Sequence, residues 1–415
     1  MQGRRLLIGS LVASCFTPAI ASATDGYFQH GYGIKAKGMG GAGVAYPQDA
    51  LAAATNPAGM ALVGDRIDFG VDWFRPVRSS DVVGNAGPVN GHFDANDNQD
   101  FLIPEFGYNK MINPQLALGV SIYGNGGMNT SYKTPIPLFG TTNAGVDLMQ
   151  LFVAPTVAYK LTPQHSIGVS LNLAYQRFKA NGLQNFAALS SAPTALSDTG
   201  YDSSTGWGVR VGWTGQVSDT VTLGATYQTK TRMGKFDSYR GLFAEQGGFD
   251  IPANYAIGIA LKATPKTTIA FDVERIEYSG VRSVNNPLLP NLFIAPLGAD
   301  NGTGFGWRDT TVFKLGADYR YSDRLTLRAG WNYNRQPIPQ SETLFNILAP
   351  GVVEHHVTLG ATWTLANKSE LSFAYMHAFE KQVDGANSIP AALGGGNANL
   401  RMYQDSLGVA YGWKF

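Results

Sequence analysis

The chain has 415 residues, with 50 glycines, 12 % aromatic residues, only 15 % charged residues and a formal net charge of +1. So few charges exclude a coiled coil, so many rings exclude a disordered chain, and no polybasic run offers a footprint for nucleic acid. Mean hydropathy is −0.09, so apolar residues must be ordered by pattern rather than by excess.

The chain opens with Arg4-Arg5, the apolar run Leu6 to Val12 and the small residues Ala21-Ser22-Ala23. Basic, apolar and small in that order read as a secretory signal peptide over residues 1–23. Cleavage there removes Cys15, the only cysteine. The exported remainder would then have no disulfide framework and no thiolate metal site. Residues 24–65 are rich in Gly and Ala and do not alternate; one short helix is expected near Gln48 to Ala54.

From residue 66 to 415, segments of about ten residues alternate apolar and polar, the period of a half-buried strand. Leu325, Leu327, Ala329, Trp331 and Tyr333 make one apolar face; Thr326, Arg328, Gly330 and Asn332 make the other. Val357, Leu359, Ala361, Trp363 and Leu365 repeat the scheme. Short turns such as Thr162-Pro163-Gln164-His165 and Ser218-Asp219-Thr220 alternate with long connections near 79–100, 133–147, 186–205, 236–252, 285–305, 339–353 and 386–399. Six short turns and seven long loops imply 14 strands. An even number of strands, with short turns at one end and long loops at the other, describes a transmembrane outer-membrane β-barrel. Closure satisfies every backbone group inside lipid, and a polar lumen explains the neutral hydropathy. No later stretch offers ~20 uninterrupted apolar residues for a spanning helix. Leu407, Val409, Tyr411, Trp413 and Phe415 alternate to the last residue, and a terminal Phe resembles the assembly signal of outer-membrane proteins.

A barrel that begins near residue 66 has room inside for residues 24–65 as a plug. This segment carries Gly38-Met39-Gly40-Gly41-Ala42, Asp49-Ala50 and Asn56-Pro57-Ala58-Gly59-Met60. With these motifs, the strand count, Phe415 and the stretch Asn346 to Glu354, the chain resembles the FadL-type long-chain fatty acid transporters of Gram-negative outer membranes. The resemblance implies an all-β, 14-stranded antiparallel barrel plugged by an N-terminal hatch, with Asn56, Pro57 and Ala58 as the hatch motif. It implies a monomer that takes hydrophobic molecules from outside and releases them sideways at a kink in the third strand. That strand, Leu116 to Tyr132, contains Gly124, Gly126 and Gly127, and glycine in a strand marks a bulge or bend.

Other motifs point nowhere. Gly38-x-Gly40-x-x-Gly43 lacks the βαβ unit a dinucleotide site requires. His355 and His356 are adjacent on a strand and face opposite ways. No nucleophile elbow or metalloprotease motif occurs, so neither a catalytic residue nor a metal or other cofactor is expected. Arg210, Lys230, Lys262, Lys314 and Arg328 are expected inside the barrel, with Asp68, Asp72, Glu105, Asp272, Glu274 and Asp318. Most should form ion pairs, since interior charge is usually paired. Lys314 and Arg210 are the candidates for holding a ligand carboxylate. The long loops carry apolar residues where a diffusion porin would be polar. Leu138, Phe139, Leu242, Phe243, Leu292 and Phe293 are the candidates for an entry groove.

The expected function is passive uptake of hydrophobic compounds, first of all long-chain fatty acids, by a monomer whose only other partner is outer-membrane lipid. Uncharged aromatic or aliphatic hydrocarbons are the alternative ligands. A lipase-like outer-membrane enzyme and a purely structural barrel are the readings from other classes.

Overall fold

The computed structural model describes residues 25–415. The expected signal peptide, residues 1–23, lies outside the described residues. Fourteen antiparallel strands form the wall: β1 Arg66–Val83, β2 Phe101–Met111, β3 Leu116–Ser131, β4 Gly145–Lys160, β5 His165–Asn181, β6 Asp202–Gln216 and β7 Val221–Gln228. The second half contains β8 Asn254–Thr264, β9 Thr267–Ile276, β10 Thr310–Arg320, β11 Leu325–Asn334, β12 His355–Thr364, β13 Glu370–Val383 and β14 Asn397–Lys414. Each strand pairs with its neighbour in sequence. β14 closes the barrel on β1, from Arg66 against Lys414 to Val83 against Asn397.

Period two is the reason for the closed wall. Along β5, Val169, Leu171, Leu173 and Tyr175 are exposed on the outer face, whereas Ser166, Ser170, Asn172 and Gln176 are buried in the lumen. In a bilayer the exposed set lies in hydrocarbon. The six expected short turns join the strands at one end. β1 continues to Val83, beyond the expected start of the first long loop. The cause is that β14 is equally long and pairs with it throughout. Two short extra strands, Gly91–Asp94 and Arg232–Met233, lie in the first and fourth long loops and pair with β1 and β6.

Residues 25–64 lie inside. In place of one helix near Gln48, they make three short helical turns: Ile34–Lys37, Ala52–Ala54 and Pro57–Ala61. Carboxylates of the wall accept hydrogen bonds from their backbone. Glu105 takes the Gly33 and Ile34 N–H groups, Asp272 those of Gly43 and Val44, and Asp68 that of Ala50. The segment approaches the wall closely because many lumenal wall positions are glycine. A methyl group at Gly212 would collide with Asn56, and one at Gly330 with Gly40.

Candidate functional site

β3 is broken at its glycines. Its pairing with β4 runs in register from Leu116 to Gly124, resumes at Gly126 against Gln150, and leaves Asn125 as an extra residue. This is a β-bulge, which bends a strand. On the other side β3 pairs with β2 only from Ala117 to Ile122. Above Ile122 the two strands part, and Phe101 to Glu105 of β2 hold on to β1 alone. The wall therefore has a lateral window. Its upper edge is closed by Asn96, which bridges Ser131. The Arg78 guanidinium ties this edge together, donating to the carbonyls of Asn129 (2.7 Å), Asn98 (2.7 Å) and Ala95 (3.2 Å).

From inside, the N-terminal segment occupies the free edge of β3. Phe28 bridges Gly126, and the Gly127 N–H donates to the Tyr27 carbonyl at 3.0 Å. The Gln29 amide donates to the Gly124 carbonyl (2.7 Å), and the Tyr32 hydroxyl to that of Asn125 (3.1 Å). Glycine is required at 126, because a methyl group there would meet the Tyr27 carbonyl. The Asn125 side chain starts a carboxamide chain through Gln150 and Gln176 to the Phe249 carbonyl, with links of 3.1, 3.2 and 2.9 Å. The bulge is thereby joined to the fourth long loop.

The hatch motif sits lower. Asn56 caps the turn Pro57–Ala61 by accepting from the Ala58 N–H, and donates to the carbonyls of Val44 and Trp213 at 2.8 and 2.9 Å. One carboxamide thus joins two stretches of the hatch to β6.

Lys314 and Arg210 meet at one cavity of about 20 Å³, lined also by Tyr32, Asp272 and Glu274. That is room for one water, not for an acyl chain. Lys314 pairs with Glu274 at 2.8 Å and faces Asp25 at 3.9 Å. Arg210 donates to Gln228, Asn254 and the Thr55 carbonyl, and among the described residues no carboxylate lies within 4.0 Å of it. Burial raises the Asp25 carboxyl to about 7 against the opposing pull of Lys314. Burial likewise holds the His30 imidazole well below its ordinary value. Of the other charges expected inside, Asp72 pairs with Lys37, Asp318 with Arg328 and Asp68 with Arg66. Glu105 and Asp272 instead accept backbone N–H groups of the hatch, and Lys262 is exposed at the end of β8. Lys230 departs from expectation: it stands past the end of β7 and pairs with Asp250, because that strand stops at Gln228.

Of the loop residues, Leu138, Phe139, Leu242, Phe243 and Leu292 are buried and pack loop on loop; Phe293 is 49 % exposed, beside Ile294 at 73 %. The packed rings are continuous. Phe178 packs tilted against Phe243 at 4.7 Å, Phe243 against Phe249 at 4.8 Å, and Phe249 reaches Tyr27 at 6.1 Å. Tyr27 in turn contacts Tyr278 and Trp307. An aromatic path thus runs from the long loops to the segment that fills the window. The stretch from Asn346 caps the bent strand, as Thr130 and Tyr132 donate to the Leu348 and Ile347 carbonyls. Sequence reading missed Arg78, Tyr27 and Phe28. Arg78 was within reach, since it continues the inward parity of Asp68 and Asp72. Tyr27 and Phe28 lie in a segment without periodicity and carried no local signal.

Comparison with known proteins agrees with this architecture. The family model described as outer membrane protein transport protein (OMPP1/FadL/TodX) matches residues 12–414. Among solved structures, the Pseudomonas putida toluene transporter TodX superposes with a TM-score of 0.71 at 18 % identity, covering 93 % of this chain and 99 % of that one. A Pseudomonas aeruginosa FadL homologue gives 0.71 at 19 %, with 94 % and 100 % covered. The Ralstonia pickettii toluene transporter TbuX gives 0.65 at 19 %, with 93 % and 99 % covered. The search of curated proteins finds no match. The closed 14-stranded barrel and the match along almost the whole chain place this protein in the OMPP1/FadL/TodX family of outer-membrane transport proteins.

Proposed function

We propose that the protein takes up hydrophobic small molecules passively, as a monomer, and releases them sideways into the membrane through the window between β2 and β3. The observation that carries this reading is the occupied window. The wall is open at the bulge, and what fills it is not a strand of the barrel but Tyr27 to Gln29, at the end of an aromatic path from the loops. A ligand entering near Phe293 and Ile294 gains about 0.8 kcal/mol per buried CH₂ as it moves into that path. Displacing Tyr27 and Phe28 from Gly126 and Gly127 opens the way to the bilayer. Neither a cofactor nor an energy source is required, because burial drives capture and dilution into lipid drives release. Asn56, Pro57 and Ala58 hold the remainder of the hatch while the N-terminal segment moves.

Two ligand classes suit the interior. The aromatic path suits an uncharged hydrocarbon, and solved relatives include toluene transporters. Arg210, with neutral acceptors only, favours a long-chain fatty acid whose carboxylate it could bind once the N-terminal segment has moved. The deciding experiment is displacement of a fluorescent long-chain fatty acid from the detergent-folded protein by the unlabelled acid, the alkane of equal length and toluene. Displacement by the acid alone, lost in Arg210→Gln, assigns the carboxylate to Arg210. Equal displacement by all three assigns an apolar ligand. Failure of the probe to bind overturns the hydrophobic reading, and lipid hydrolysis would replace it with an enzyme.

A further inference from the structure

The lumen does not use all of the charge in this molecule. A groove of about 890 Å³ lies at the long-loop rim, on the outer side of β9, β10 and β11, and Phe313, Tyr333, Arg275, Arg308, Arg335 and Lys381 are among its lining. We propose that it binds the phosphorylated headgroup of a glycolipid in the outer leaflet.

β9 and β11 present the same outward order toward the rim. Phe271 and Val273 lead to Arg275 on β9, and Trp331 and Tyr333 lead to Arg335 at the end of β11. On β10, between them, Leu315, Phe313 and Thr311 face outward and Asp309 follows, while Arg308 lies two residues before the first strand residue, off that series. Phe271, Leu315 and Trp331 are exposed on the barrel exterior. Above them the rings stack: Phe313 on Tyr333 at 6.3 Å, Trp331 on Tyr333 at 5.8 Å, and Tyr333 on His355 at 4.7 Å. An outward aromatic belt marks the level where hydrocarbon ends. Side chains one step beyond it are therefore in the headgroup layer.

The charges of the groove are only partly matched. Arg275 pairs with Asp309 at 3.3 Å and Lys381 with Glu354 at 2.6 Å, while Asp384 accepts from the Gln382 amide. Among the described residues, no carboxylate lies within 4.0 Å of the Arg308 or Arg335 guanidinium. The Arg308 N–H donates to the Pro337 carbonyl at 2.9 Å, which fastens the two arginine-bearing segments side by side. Two guanidinium forks without a carboxylate partner, both lining one groove on segments fastened side by side, match a phosphate, which each can bind bidentately. The source is a lipid rather than a soluble anion, because the groove lies on the wall that faces the bilayer and has an aromatic floor. Basic pockets at this depth are suited to lipid headgroups.

The test uses the full chain folded in detergent, with native mass spectrometry to count bound glycolipid. The probes are a diphosphorylated, hexa-acylated glucosamine disaccharide and its dephosphorylated form. The wild type should retain the diphosphorylated probe, and Arg308→Gln with Arg335→Gln should weaken retention about tenfold, equivalent to ~1.4 kcal/mol. The Arg308→Lys and Arg335→Lys pair, which keeps charge but loses the forks, should fall between. Heat-modifiable gel migration shows that each variant is folded. Equal retention by all variants, or no preference for the phosphorylated probe, overturns the proposal. So does displacement of the probe by millimolar inorganic phosphate, which would mark an anion site without lipid specificity.

Discussion

At the scale of residues, Asp25 is the point where hatch, wall and loops meet. Its carboxylate accepts from Asn332 and Asn334, its carbonyl accepts from the Tyr278 hydroxyl, and Lys314 stands 3.9 Å away. Burial raises its carboxyl from 3.8 to about 7, so the folded state favours the protonated form. The contribution of Asp25 to holding the N-terminal segment is complete below pH 4 and declines as pH rises through 7. A nitroxide attached at Phe28→Cys, in a background lacking Cys15, should therefore become more mobile between pH 4 and pH 8 by electron paramagnetic resonance. Asp25→Asn should flatten that dependence. An unchanged profile in Asp25→Asn would assign the effect to another group.

At the scale of elements, β3 is a strand with two incompatible partners. Its lower half completes the wall with β2, and its upper half receives residues 27–29 instead. The bulge at Asn125 makes the change possible, because the extra residue turns the strand away from β2. Deleting Asn125 should bring Gly124 and Gly126 into one register and extend the β2 pairing. The expected result is loss of hydrophobic-probe uptake into cells by at least about tenfold, with barrel folding retained on a heat-modifiability gel. Uptake at the wild-type rate in a folded deletion variant would exclude the window as the exit.

At the scale of the whole molecule, the barrel and its hatch depend on different interactions. The wall is closed by strand pairing between β1 and β14. The hatch is held by wall carboxylates, by Asn56 and by ion pairs such as Lys37 with Asp72. Removal of residues 25–64 would leave those wall groups facing water, which solvates them. The truncated barrel should thus still fold and should conduct ions in a planar bilayer, where the full chain stays closed. A truncated chain that fails to fold would show that the hatch is part of the wall's stability.

Much of this architecture was legible in the chain itself. Period two, the alternation of short turns with long loops and the terminal alternation through Phe415 determined the barrel, its strand number and the faces of its strands, because a closed sheet in lipid leaves no other way to pair the backbone. The inward charges Asp68, Asp72, Glu105 and Asp272 followed from the same parity. Glycines at 124, 126 and 127 announced an irregular third strand. Only the tertiary structure decided what the irregularity does. Tyr27 and Phe28 reach Gly126 across a separation of about a hundred residues, and an aperiodic segment carries no signal of its partner. Tertiary structure also decided that Phe139 and Phe243 are buried while Phe293 is exposed, since exposure of an apolar loop residue depends on which other loops fold over it. The same holds for Lys314 and Arg210, whose shared cavity exists only because β6 and β10 both pack against the hatch residues that line it. Local chemistry sets periods and turns; contacts between segments far apart in sequence arise from closure and packing, which no short window of residues contains.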